Sequence, residues 1–72
     1  MKIINLKGLK CPIPVLKAYK ILKVEKIEKD FEFISDDKSS PKDFKDLCDN
    51  AGYKLVGVKE QNKIFHIRIN LD

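Results

Sequence analysis

Short β-rich runs alternate with stretches of helical spacing along this chain. Lys2 to Leu6 reads as a first strand. Lys7-Gly8-Leu9-Lys10 is a turn centred on Gly8. From Pro12 the period changes: Val15, Leu16, Ala18, Tyr19 and Leu22 fall on one side of a helical wheel, with Lys17, Lys20 and Lys23 largely on the other. This predicts an amphipathic helix over about Pro12 to Lys23, with proline in the first turn, where its missing N–H costs nothing. Phe31 to Ser35 reads as a second strand. Ser40-Pro41-Lys42-Asp43 carries a helix start, with Ser40 as N-cap and proline at the first position. Phe44, Leu47, Cys48 and Ala51 follow at i, i+3, i+4 and i+7, a core-facing stripe, and Gly52 is a natural stop. Tyr53 to Glu60 is a third strand, with Gly57 a candidate bulge. Gln61-Asn62 is a tight turn into a fourth strand, Lys63 to Asn70, with Phe65, Ile67 and Ile69 facing inward.

The order is β-α-β-α-β-β. The short last turn makes the final two strands an antiparallel hairpin. The first strand, helix and second strand make a right-handed crossover with parallel strands. Each helix has one apolar side, so both are expected on one face of a four-stranded mixed sheet, an α/β (α+β) two-layer sandwich. Residues 1–72 are expected to form one domain.

Length restricts the chemistry. A chain of 72 residues buries only about 60% of its unfolded surface. It has too few walls for a deep pocket, so a reaction is expected at the surface, on a substrate presented by another macromolecule. Net charge is +4, but 14 of the 15 basic residues are lysine and only Arg68 is arginine. The lysines are interleaved with acids, as in Lys23-Val24-Glu25-Lys26-Ile27-Glu28-Lys29-Asp30. That pattern fits a solvated face better than a phosphate-reading patch. No apolar run reaches membrane-spanning length. Two cysteines with no export signal predict free thiols in a reducing compartment, the cytoplasm.

Cys11 is the first candidate for chemistry. It stands just before the helix, where unpaired N–H groups and the helix dipole favour an anion. A thiolate is the reactive form of cysteine. Lys7 and Lys10 would push the same way. Pro12 and Pro14 each remove a donor from this turn, which leaves the Ile13 N–H for capping. The prolines therefore stiffen the corner more than they stabilise charge, which suits a thiol presented to another protein. Cys48, on the apolar stripe, reads as a packed core thiol. His66 alternates with Phe65 and Ile67 and is expected on the face opposite them, so no Cys–His pair is read from spacing. Asp36 and Asp37 read as turn formers. Two cysteines and one histidine are too few for a structural zinc site.

Leu6-Lys7-Gly8-Leu9-Lys10-Cys11-Pro12-Ile13-Pro14-Val15-Leu16 resembles the signature of the TusA/SirA-like family of small sulfur-carrier proteins. The Cys-Pro-x-Pro element after a turn glycine is the specific part. Length, element order, Asp36-Asp37, Ser40-Pro41 and Gly52 extend the likeness over the whole chain. Asn5 and Lys7 stand where relatives often have aspartate and arginine.

The resemblance implies carriage of sulfane sulfur as a persulfide on Cys11, with Gly8, Pro12 and Pro14 shaping the loop and helix start. It implies a cysteine desulfurase or rhodanese-like donor and a downstream acceptor protein, for instance toward tRNA thiolation or cofactor sulfuration. The carried persulfide is then the only non-protein group, and no other cofactor or metal is expected. Such a protein is a relay, expected as a monomer, and not a stand-alone turnover enzyme. Lys7 and Lys10 would support the thiolate or dock an acidic partner, with Ile13 beside them. Two other readings remain beside this one. The same fold could be a thiol redox-sensing or protein-binding regulatory module, or a basic RNA-binding domain; direct nucleic-acid binding is the less expected.

Overall fold

A computed structural model describes residues 1–71 of the chain. Six elements follow in the expected order: β1 (Lys2–Asn5), α1 (Ile13–Val24), β2 (Asp30–Ser35), α2 (Ser40–Ala51), β3 (Lys54–Gln61) and β4 (Ile64–Asn70). The sheet order is β1-β2-β4-β3. β1 runs parallel to β2, while β4 is antiparallel to both β2 and β3. β2 and β4 are therefore the central strands. Their inward residues, Phe31, Phe33, Ile67 and Ile69, are buried to 1% exposure or less. Ala18 and Leu22 from α1 and Phe44 and Cys48 from α2 close the same core. The Phe33 ring sits 5.9 Å from Phe31 and 5.5 Å from Phe44, within the range of favourable ring contacts. Both helices thus cover one sheet face, as the amphipathic patterns require.

The structure corrects several details of the pattern. The buried stripe of α1 is Pro14, Ala18 and Leu22, at i, i+4 and i+8. Leu16 and Tyr19 were placed on the core side by the wheel, yet they are 50% and 39% exposed. They line a shallow apolar groove with Val15, Leu47, Asn50 and Ala51, between the two helices. Ala51 is likewise exposed. Ser40 is not the N-cap of α2. That place belongs to Ser39, and Ser40 turns inward as the first helical residue. Its hydroxyl, 2% exposed, meets the fully buried hydroxyl of Ser35 at 2.6 Å. A buried hydroxyl needs such a partner, and this pair pins the start of α2 to the end of β2.

Gly52 ends α2 as expected. It adopts φ 79°, and its N–H donates to the Cys48 carbonyl. The β3–β4 register shifts between Leu55 and Gly57, where the bulge was expected. The hairpin turn lies one residue later than expected: Asn62 and Lys63 both have positive φ, 54° and 64°. Those angles match the right-handed twist of the flanking strands. No helix among the described residues is long and apolar enough to cross a membrane.

Candidate functional site

Parallel neighbours end at the same edge of a sheet. The loop that leaves β1 therefore lies beside the loop that leaves β2, and the carboxyl ends of parallel strands are a recurrent place for chemistry. The first loop carries Gly8 and Cys11. The second carries Asp36 and Asp37 and leads directly into α2.

The two loops are tied together by backbone donors and carboxylate acceptors. The Gly8 N–H donates to both Asp36 oxygens, at 3.2 and 3.3 Å. Gly8 has φ +88°, a conformation that glycine takes without penalty and other residues resist. The Cys11 N–H donates to Asp37 Oδ2. Asp37 Oδ1 accepts from the Ser39 N–H at 2.9 Å, and the Asp37 N–H itself donates to Ser35 Oγ. Asn5 Oδ1 receives the Lys7 N–H at 2.9 Å and shapes the start of the first loop. The donors from Ser39 and Cys11 hold the Asp37 carboxyl below its ordinary range, helped by the charge of Lys10.

Cys11 is exposed and free, at the corner where the loop meets α1. Its peptide bond to Pro12 is cis. Pro12 is the N-cap residue and Pro14 lies within the first turn. The Ile13 N–H donates to the Lys10 carbonyl at 2.8 Å. Pro12, Ile13 and Pro14 therefore leave no free N–H for the sulfur. The thiol turns to α2 instead and donates to Asp43 Oδ2 at 3.1 Å. This hydrogen bond, partial desolvation and the negative charges of Asp43 and Asp37 push the Cys11 thiol up; the Ser39 hydroxyl pulls only weakly the other way.

That electrostatic picture corrects the sequence reading. A helix N-terminus flanked by Lys7 and Lys10 was expected to favour the thiolate, with Ile13 as the remaining donor. The groups that act on the sulfur are Asp43, Asp37 and Ser39. Lys10 acts on Asp37. The resting sulfur is a thiol held by a carboxylate.

Residues 2–71 match the sequence profile of a family described as Sulfurtransferase TusA. The chain belongs to that family. The chain is similar to the sulfur carrier protein TusA of Allochromatium vinosum, 36% identical over 62 residues, covering 86% of this chain and 82% of that protein. A protein of Archaeoglobus fulgidus whose name marks it as a candidate sulfur carrier is 33% identical over 67 residues, covering 93% of this chain and 92% of its own. A solved SirA-like protein from Desulfitobacterium hafniense superposes with a TM-score of 0.82 over 97% of this chain and 96% of its own. At 24% identity that likeness speaks for the fold.

Cys11 thus lies where the parallel strands end. Gly8 takes a positive φ in the loop after β1, Pro12 stands at the helix cap, and Pro14 lies within the first helical turn. Asp36, Asp37 and Asp43 were missed as site residues. The first two were read as turn formers and the third only as part of a helix start. The signal that could have found them is topological: once the first two strands are parallel neighbours, the loops after them must meet.

Cys48 is buried in the core, as its stripe position predicted, and burial pushes its thiol up to about 11. His66 is not brought to Cys11. Its Nδ1 shares a hydrogen bond with Glu32 Oε2 at 3.1 Å. Both residues alternate with core residues and so face away from the helices. No group of three or more His, Cys, Asp or Glu able to hold a metal occurs among the described residues.

Proposed function

We propose that this protein is a sulfur carrier that accepts sulfane sulfur on Cys11 as a persulfide and passes it to an acceptor protein. The observation that carries this reading is the placement of Cys11: an exposed, free thiol at a corner held by Asp37 and Asp43 from the neighbouring loop and helix. Membership of a sulfurtransferase family and a relative named as a sulfur carrier support it. A thiol fixed in space and open to solvent can enter another protein's active site, with little entropy lost on docking.

The chemistry needs little from this chain. A cysteine desulfurase or rhodanese-like donor supplies a persulfide, and the Cys11 sulfur attacks its terminal atom. The product, Cys11–S–SH, has a weak S–S bond and gives its outer sulfur to the next thiol. The carried sulfur is the only group involved besides protein. The protein works as a relay, with tRNA thiolation or cofactor sulfuration as its destination. Lys7 and Lys10 serve the docking of an acidic partner in this reading, because the thiol itself is governed by carboxylates.

The test is the intact mass of reduced protein after incubation with L-cysteine and a cysteine desulfurase. A gain of one sulfur, reversed by reductant and absent in Cys11→Ser, is expected. A folded Cys11→Ser variant that still gains sulfur would end the proposal.

A further inference from the structure

The contact between Cys11 and Asp43 joins the proposed sulfur-bearing corner to a second helix. Asp43 lies in the first turn of α2, with its N–H donated to the Ser39 carbonyl at 2.9 Å. That helix is anchored by the buried Ser35–Ser40 pair. The carboxylate is therefore held in place by structure independent of the cysteine loop. It is half-buried, and its Oδ2 stands 3.1 Å from the sulfur, within reach for proton transfer. The histidine, the usual base for a thiol, is engaged with Glu32 on the far side of the sheet.

We infer that Asp43 is the proton carrier of sulfur transfer: it takes the proton of the Cys11 thiol as that sulfur attacks, and delivers it to the sulfur that the donor keeps. This rests on the carrier reading of Cys11. The step balances without an oxidant. The Cys11 S–H bond breaks and its proton moves to Asp43. The freed electron pair forms a bond to the outer sulfur of the donor, R–S–SH. The donor S–S bond breaks, and R–S⁻ takes the proton from Asp43. One thiol and one persulfide become one persulfide and one thiol.

Asp43 has two effects of opposite sign, and they separate in experiment. Its carboxylate keeps the resting sulfur protonated, which slows any reagent that needs free thiolate. In sulfur transfer it also supplies the leaving group with a proton. Alkylation by iodoacetamide releases iodide, which needs none.

The experiment compares wild type, Asp43→Asn and Asp43→Glu, each checked for folding by circular dichroism. Intact mass over time follows sulfur uptake from glutathione persulfide and from a cysteine desulfurase with L-cysteine. Iodoacetamide labelling of Cys11 is followed in parallel. Asp43→Asn is expected to label severalfold faster at neutral pH and to take up sulfur at least tenfold more slowly, with Asp43→Glu recovering part of the loss. Sulfur uptake by Asp43→Asn as fast as wild type or faster overturns this inference and leaves the carrier reading standing. Equal slowing of both reactions marks a distorted corner and also overturns it. A wild type that takes sulfur from neither source removes the carrier reading, and this inference with it.

Discussion

The amide of Cys11 is held by the carboxylate of Asp37, a residue 26 positions further along the chain. Parallel pairing of β1 and β2 brings the two together. Asp37 therefore sets both the position and the charge environment of the sulfur. Asp37→Ala is expected to release the Cys11 end of the loop, while Asp36 still holds Gly8, and to remove one of the negative charges that hold the thiol up. Amide hydrogen exchange at Cys11 should speed up. Iodoacetamide labelling at pH 7 should also rise severalfold, because more of the sulfur is thiolate. Unchanged exchange and labelling would show that this bond does not order the loop.

The same carboxylate makes stability depend on acid. Its folded pKa lies below the ordinary 3.8, because the Ser39 and Cys11 N–H groups favour the charged form. A depressed carboxyl contributes stability that is present above its unfolded pKa and lost as pH falls through the folded one. Urea unfolding of wild type and Asp37→Asn should therefore differ most above about pH 4, with wild type the more stable. The gap should close as pH approaches 2. A gap that stays constant down to pH 2 would assign the difference to something other than the Asp37 charge.

The hairpin between β3 and β4 offers a stabilising substitution. Lys63 adopts φ 64° in the turn, a conformation that costs a residue with a Cβ roughly 1–2 kcal/mol. Glycine removes that cost but adds freedom to the unfolded chain. Lys63→Gly is expected to raise stability by about 0.5–1 kcal/mol, read as a higher urea midpoint at unchanged slope. A lower midpoint would mean that the lysine side chain contributes more than its backbone costs.

The order of elements was legible because each segment carries one dominant period. Phe65, Ile67 and Ile69 alternate, and Phe44, Leu47 and Cys48 recur at helical spacing. The side of α1 was harder to read. Val15, Leu16, Tyr19 and Leu22 are all apolar, and a wheel gives each equal weight. The core of so thin a sandwich takes only the Pro14, Ala18 and Leu22 line, with Val15 and Ile21 packed at its flanks. Leu16 and Tyr19 face the groove between the helices. Leu22→Ala should cost about 2–5 kcal/mol, whereas Leu16→Ala should change stability by no more than about 0.5 kcal/mol. Chemical denaturation of the two variants checks this, and equal losses would restore the original wheel.

Cys11 was legible as a candidate for the same reason as the turns around it: glycine and prolines confine the backbone there. Its carboxylate neighbours were not, since no local rule links residue 11 to residues 37 and 43. The expected thiolate came from counting nearby lysines in sequence. Lysines on a turn can point elsewhere, and Lys10 acts on Asp37 instead.

The second cysteine provides the last test. Cys48 is 2% exposed, and burial, with some help from Asp49, pushes its thiol from 9.0 to about 11. Two consequences follow from one cause. In native protein at pH 8, iodoacetamide should place one label per chain, on Cys11, and a second only when denaturant opens the core. Stability should also respond to base. A thiol whose folded pKa is raised contributes stability that is complete below its unfolded value and lost as pH climbs through the folded one. Between pH 9 and 11 wild type should therefore lose about 2 kcal/mol relative to Cys48→Ala. At neutral pH that variant should be the weaker by about 1 kcal/mol, for lost packing. A second label in native protein, together with parallel pH curves for the two chains, would place Cys48 at the surface and refute its role in the core.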